Sequence, residues 1–198
     1  MADLNLTTVS RVLAFLDLSE DAVRDGGFAE LGVMVSAVSG TLANLCNRPF
    51  LVASRTERRV LFRPTFKVMG GPARSIASIK MYPSGALSSS AAVIPATGYE
   101  LQDGGNTVAI GAPFASGMVY EVAYTGGLAE DTDEVIASFP DLEEACKMQV
   151  AYLWQRHKSL GRTSMDLGGG STSFVKDYDL LPGVRTILTR YARPYTFC

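Results

Sequence analysis

Apolar residues recur at helical spacing near both ends of the chain and at alternating spacing in between. The longest helical pattern runs from Ser138 to Gly161, where Pro140 suits a first turn and Gly161 a position just past the last one. The spacing predicts an amphipathic helix roughly 30 Å long, at 1.5 Å per residue. Its expected buried stripe is Leu142, Ala145, Cys146, Val150, Leu153 and Leu160.

Two further helices are predicted in the N-terminal part. Thr7 or Thr8 can cap a short helix, and a longer helix ends before Pro49, which disfavours helical geometry at the residue before it. The apolar positions of the short helix are Val9, Val12, Leu13 and Leu16. Those of the longer helix are Phe28, Leu31, Val35, Val38, Leu42, Leu45 and Cys46.

From residue 51 to about residue 128 the period changes to two and turn residues multiply. Strands are predicted at 56–63, 76–82, 99–102, 107–110 and 118–125. Gln102–Thr107 separates two alternating runs and is the strongest hairpin signal in the chain. Loops are expected at 85–92, 130–134 and 163–173, and a last short helix is expected to start at Leu181–Val184.

These patterns predict an α+β fold in a single domain spanning residues 1–198. The helical core would come from both chain ends, residues 1–50 and 138–198, and an antiparallel β subdomain would be inserted at 51–128. With 47% hydrophobic and 19% charged residues, the composition is that of a globular protein with a substantial core.

The charge distribution adds a hint about assembly. The net charge of −2 argues against a general nucleic-acid binder. Eight basic residues face one acid between Arg48 and Lys80, whereas residues 130–144 hold seven acids and no base. Such polarity is common in subunits that meet head to tail, although a solvated face explains it equally well.

The residues offer little for catalysis or metal binding. His157 is the only histidine and lies in the last turn of the predicted long helix, where it complements the helix dipole. Cys46, Cys146 and Cys198 are far apart in sequence, so we expect no zinc site, and buried free thiols at the first two. We predict no catalytic residues, no cofactor, no metal site, no signal peptide and no membrane span.

A second side of the long helix is also apolar, which indicates a neighbouring subunit. Together with the charged stretches, it supplies the candidate residues of a subunit interface. These are Met148, Ala151, Tyr152, Arg55, Arg58, Arg59, Glu143 and Glu144.

The chain resembles the head–tail connector proteins (adaptor or head-completion proteins) of long-tailed bacteriophages and related gene transfer agents. The resemblance rests on an ordered set of short segments that spans most of the sequence. They are Phe15–Leu18, Cys46–Phe50, Tyr124–Leu128, Phe139–Ala145, Tyr152–Arg156 and Leu181–Val184. The β insertion and the glycine-rich link before the last helix are larger than in small family members.

The resemblance implies a non-enzymatic virion protein of the head–tail neck, present in the host cytoplasm during assembly. It would form a ring, usually dodecameric, beneath the portal, complete the packaged head, extend the DNA channel and carry a stopper or tail-terminator protein. DNA would pass without specific binding, so acids would lie nearer the lumen than the basic stretch. The portal-binding tail would comprise Arg190, Tyr191, Arg193, Pro194, Tyr195 and Phe197.

Several alternatives remain open from the sequence. The terminal aromatic residues could instead fold back on their own helices. Another neck component, a stopper or tail-terminator, would share most of these features. A nucleic-acid-binding module would use Arg55, Arg58, Arg59, Arg63 and Arg74, and a small hydrolase fails for want of a usable base.

Overall fold

A computed structural model of the chain describes residues 5–19, 23, 27–82, 91–111, 113–157 and 180–193. These residues form α-helices α1 (Val9–Phe15), α2 (Gly27–Leu45), α3 (Thr132–Ser138), α4 (Pro140–His157) and α5 (Pro182–Leu188). The strands are β1 (Ala53–Leu61), β2 (Thr65–Lys67), β3 (Ala73–Tyr82), β4 (Ala92–Ile94), β5 (Tyr99–Gln102), β6 (Thr107–Ile110) and β7 (Met118–Gly126). Helices at both ends and antiparallel strands between them confirm the predicted α+β class.

The chain divides into two compact units. The helical unit comprises Met1–Cys46 and Thr132–Ala192, and the β unit comprises Asn47–Asp131 and Arg193–Cys198. Arg193 therefore belongs to the β unit, although it follows α5 in sequence.

The core of the helical unit forms where the apolar stripes of α2, α4 and α5 are buried. The predicted stripe positions Leu142, Ala145, Cys146 and Val150 of α4 are all buried. Leu31, Val35, Val38 and Leu42 of α2 and Val184 and Leu188 of α5 are buried as well. Cys46 and Cys146 are free and buried, as predicted.

Three details of the helical prediction were wrong. Phe28 and Leu45 belong to the predicted stripe of α2, yet they are 46% and 57% exposed. Both lie in terminal turns, where the period of a helix does not determine how far another element covers it. Leu153 is only partly buried. The predicted acidic loop at 130–134 is confirmed only at 130–131, because α3 begins at Thr132, which is buried and donates to the Asn5 carbonyl at 2.7 Å.

By length and composition, α2 could also cross a membrane. Within the helical unit, however, it buries Leu31, Val35, Val38 and Leu42. A core helix of a globular protein can have the same length and composition, so these two properties alone are not evidence that α2 crosses a membrane.

The β unit contains two antiparallel sheets that share one core. Their strand orders are β1-β7-β3-β4 and β2-β6-β5. The core combines Tyr120, Val122, Tyr124 and Ile79 of the larger sheet with Phe66, Val108 and Ile110 of the smaller one. Sequence periodicity missed β2 and β4, because three residues are too few to show an alternation.

The predicted hairpin is confirmed. β5 and β6 pair antiparallel from Tyr99 opposite Ile110 to Gln102 opposite Thr107. The turn has positive φ at Asp103 (53°), Gly104 (59°) and Gly105 (84°). Glycine and aspartate tolerate this geometry better than most residues do.

Three predicted segments lie largely or wholly outside the described residues. They are the loop at 85–92, the link at 163–173 and the end of the long helix at 158–161.

Candidate functional site

The C-terminal segment is the first candidate site, and its described residues contact their own chain. Tyr191 donates its hydroxyl to Asp141 Oδ1 at 2.5 Å and packs edge-on against Phe139, with ring centroids 6.3 Å apart. Arg190 Nη1 lies 3.3 Å from Asp141 Oδ2. Tyr191 therefore packs on α4 and the residue before it, as the fold-back alternative expects for this residue, whereas Phe197 lies outside the described residues.

Arg193 is held separately, within the β unit. Its Nη1 donates to the Val68 carbonyl at 3.0 Å and lies 3.5 Å from the Met69 carbonyl, while its Nη2 donates to Asn106 Oδ1. Burial lowers the pKa of this guanidinium, and the nearby Tyr124 and Glu57 oppose the shift. The remaining predicted tail residues, Pro194, Tyr195 and Phe197, lie outside the described residues.

Two of the three arginines of β1, Arg58 and Arg59, form ion pairs within the larger sheet. Arg58 Nη2 lies 2.5 Å from Glu121 Oε2, and Lys80 Nζ lies 3.4 Å from the other oxygen of the same carboxylate. The hydrogen bond from Arg58 is the main cause of the lowered pKa of Glu121. Arg59 Nη2 lies 2.6 Å from Glu57 Oε2. Carboxylates of the same sheet therefore offset part of the positive charge of β1 and β3.

Glu57 also holds the loop after β2. Its Oε1 accepts from the backbone N–H groups of Met69 at 2.8 Å and Gly70 at 3.2 Å, and from the Tyr124 hydroxyl. Burial, followed by the hydrogen bond to Glu57, raises the pKa of Tyr124 far above its usual value. Arg55 lies beside the same loop, close to Gly70.

The interface candidates of α4 are less available than their sequence suggests. Glu143 is 2% exposed and Ala151 is 7% exposed, so neither side chain is accessible to a neighbouring subunit. Glu144 Oε2 lies 2.8 Å from Lys147, and the Tyr152 hydroxyl accepts from Arg156 at 2.9 Å. Met148 is half-buried close to Gly183 of α5.

The outer side of α2 is exposed and nearly uncharged. Val33 is 69% exposed, and the other exposed positions on this side are small or uncharged: Ala29, Ser36, Ala37, Gly40, Thr41 and Asn44. Glu30 is the one charged residue among the 19 of this helix. Phe28 and Leu45 are also about half exposed, but they lie in the terminal turns on the side of the buried stripe.

The titratable groups do not suggest a reactive centre. Burial raises the pKa of the Cys146 thiol to about 12, which keeps it protonated and a poor nucleophile. Across the described ranges, no three His, Cys, Asp or Glu side chains come together in a way that could hold a metal ion.

Comparison with known proteins gives one family and a set of similar structures. Residues 5–194 match the family model described as head completion protein. A comparison with curated protein sequences gives no significant match. Three solved structures share the fold, each covering 96% of this chain and 90% of the other.

All three structures come from gene transfer agent particles. The neck of an empty particle computed with C6 symmetry has a TM-score of 0.63 at 13% identity. The virion of the native particle has a TM-score of 0.63 at 14% identity. The neck of the native particle computed with C12 symmetry has a TM-score of 0.57 at 15% identity.

Proposed function

Because this chain belongs to the head completion protein family, we propose that it assembles as a ring beneath the portal of a phage or gene transfer agent particle. Its role is structural completion of the head, at the neck of the particle. The family match over residues 5–194 is the observation that carries this conclusion. In the proposed role, the ring extends the DNA channel and presents a platform for the tail, and the chain has no catalytic activity.

The exposed face of α2 supports assembly with further copies of the chain. This face is nearly uncharged, and its side chains are mostly small, with Val33 as the exposed apolar residue. Gly40 has no heavy atom within 4 Å of the position that a Cβ would occupy, so a neighbouring helix could approach closely there. The neck structures with C6 and C12 symmetry are consistent with a ring, and we propose twelve copies.

Measurement of mass tests the ring directly. We expect native mass spectrometry of the chain mixed with purified portal rings to show a stoichiometric complex of about twelve copies. Introducing a charge on the outer face of α2 by V33E should abolish that complex, because a buried unpaired charge is strongly unfavourable. T186E, at an exposed position of α5, is the matched control. Absence of any wild-type complex with portal rings would contradict the proposed function.

The expected partners are the portal on one side and a stopper or tail-terminator protein on the other. The apolar and aromatic character of the C-terminal segment supports portal contact. The described residues Arg190, Tyr191 and Arg193 contact their own chain. We therefore propose that portal contact falls on Pro194, Tyr195 and Phe197, which lie outside the described residues, with Tyr195 and Phe197 as aromatic anchors.

The paired arginines favour a channel through which DNA slides without specific binding. Arg58, Arg59 and Arg74 each lie within 2.6 Å of a carboxylate oxygen, so they are poorly available to phosphates. We propose that the acidic segments face the lumen and the basic stretch faces neighbours or the outside. Salt-sensitive DNA binding by the isolated chain would favour the nucleic-acid-binding alternative instead.

A further inference from the structure

The outer face of the larger sheet carries an apolar row at one end. Tyr120 of β7 points into the core of the β unit, so Val119 beside it points to the other side of the sheet. Val119 lies opposite Val60 of β1 and opposite Tyr82 of β3. Because residues directly opposite each other share a face, these three side chains form a row across the outer face.

Large apolar side chains next to this row are exposed. Val60 is 49% exposed, and Phe62, which directly follows β1, is 72% exposed. A Cβ added at Gly117 would lie 3.9 Å from the Phe62 ring, so the ring lies beside the start of β7. Val93 of β4 is 64% exposed and lies opposite Lys80 on the same outer face. We call Val60, Phe62 and Val93 the sheet-end patch, since neighbouring exposed apolar residues of this kind mark an interaction site.

Basic side chains border the sheet-end patch. Arg58 and Lys80 lie on either side of Glu121 in the next row, and their side chains are 53% and 40% exposed. Arg63, next to Phe62 in sequence, is exposed as well. Three basic groups thus border the patch with one carboxylate between two of them, so the border is positively charged.

The two units of the chain carry net charges of opposite sign. Among the described residues, the β unit has nine basic and six acidic residues, whereas the helical unit has five basic and seven acidic residues. A contact between two β units would bring like charges together, and a contact between a β unit and the helical unit of another copy brings opposite charges together. The helical unit also has exposed large apolar residues on α1 and α2: Phe15, Phe28, Val33 and Leu45.

We propose that the sheet-end patch of one copy docks on α1 and α2 of the next copy in the ring. Phe62 is the apolar anchor of this contact, and the basic border supplies its charge complementarity. Because the contact joins two different surfaces of the same chain, it repeats from copy to copy and can close into a ring. This inference rests on the proposed function, in which copies of the chain form that ring.

Two substitutions of Phe62 test the charge of the docking partner. F62K and F62E both remove the aromatic anchor at an exposed position, but only F62E places a negative charge against the negative helical unit. We expect the chain concentration at half-maximal assembly on purified portal rings to rise about tenfold in F62K, as for an interface hot spot. It should rise by about a further threefold or more in F62E, because like charges then meet.

M69K and T65E are the matched controls, since Met69 and Thr65 are exposed positions of the β unit outside the sheet-end patch. Both should assemble as wild type does. Wild-type assembly of both Phe62 variants would overturn the patch as a contact. A defect in F62K that equals or exceeds the defect in F62E would overturn the helical unit as its partner.

Photo-cross-linking identifies the docking partner directly. Replacing Phe62 by p-benzoylphenylalanine keeps an aromatic ring at the anchor, and mixing this chain with isotope-labelled wild type distinguishes contacts between copies from contacts within one. We expect cross-links to peptides of α1 and α2 from the labelled copy. Cross-links to its β unit or to the portal, or no cross-link between copies in an assembled complex, would overturn the inference.

The same experiment separates this inference from the proposed function. If wild type does not assemble on portal rings, the proposed function is wrong. Cross-links to α1 and α2 of the labelled copy in the concentrated chain alone would then still support the contact between copies. Their absence from that sample would overturn the contact as well.

Discussion

Arg11 of α1 and Glu143 of α4 form a two-point ion pair inside the helical unit. Arg11 Nε lies 2.5 Å from Glu143 Oε1, and Nη2 lies 3.0 Å from Oε2. The Thr7 hydroxyl donates to the same carboxylate at 3.1 Å. The contact of Glu143 Oε1 with Lys147 Nζ, one turn along α4, is longer, at 3.9 Å. The buried carboxylate thus binds the N-terminal segment to α4.

This pair predicts an acid-sensitive contribution to stability. Burial opposes ionisation of Glu143, but the hydrogen bonds from Arg11 and Thr7 and the charges of Lys147 and Arg11 outweigh it and lower its pKa. A lowered folded-state pKa gives stability that is present above the unfolded value of 4.5 and is lost as pH falls through the folded value. We expect E143Q to lower the free energy of unfolding at pH 7 by about 2 kcal/mol. Urea denaturation from pH 7 to pH 3 should show the difference between the two proteins shrinking below pH 4.5. A difference that stays constant over that pH range would contradict a lowered pKa of Glu143 in the folded protein.

Burial on α4 and exposure on α2 predict opposite outcomes for two leucines. Leu142 is fully buried, so L142A should lower the free energy of unfolding by about 2–5 kcal/mol through lost contacts and a cavity. L45A should change it by less than about 0.5 kcal/mol, because Leu45 is 57% exposed. Chemical denaturation of the dilute chain measures both. A large loss of stability in L45A would instead indicate that Leu45 is buried, as the sequence pattern predicts.

The hydroxyl of Tyr124 should matter for the β unit. It donates to Glu57 and accepts from the Gly70 N–H, so Y124F leaves both groups without this partner. We expect a loss of about 1–3 kcal/mol, the range for removing a buried hydrogen-bond partner. The pKa of Tyr124 is raised, so its contribution should hold below about pH 10 and decline only at higher pH. Ultraviolet titrations of folded wild type and Y124F should therefore coincide up to pH 11.

The hairpin turn provides a matched pair of glycine substitutions. Gly104 and Gly105 both have positive φ, but a Cβ at Gly104 would meet nothing within 4 Å, whereas one at Gly105 would collide with the Ala73 backbone. G104A should cost about 1 kcal/mol, from the left-handed conformation alone. G105A adds a clash with backbone that cannot rotate away, so we expect about 3 kcal/mol or more. Thermal unfolding followed by circular dichroism compares the two, and equal losses would argue against the close approach to Ala73.

Sequence patterns predicted the positions of helices and strands better than they predicted which side chains are buried or paired. The strands at 99–102 and 107–110 and the hairpin between them were predicted to the residue, because alternation and turn chemistry are local properties. The exposure of Phe28 and Leu45 was not predicted, because burial at a helix end depends on other elements. The ion pair between Arg11 and Glu143 could not be predicted either, since the two residues lie 132 positions apart in sequence.

The sequence by itself determined the α+β class, the helices at both ends and the ordered segments that resemble the head completion family. Those features depend on residue periodicity and on neighbours in sequence, which the chain displays directly. Only the tertiary structure decided that Glu143 is buried, that Arg58 and Arg59 pair with carboxylates and that Arg193 donates to the Val68 carbonyl and the Asn106 side chain. These facts depend on side chains brought together from distant segments, and residue order does not specify distances between such groups.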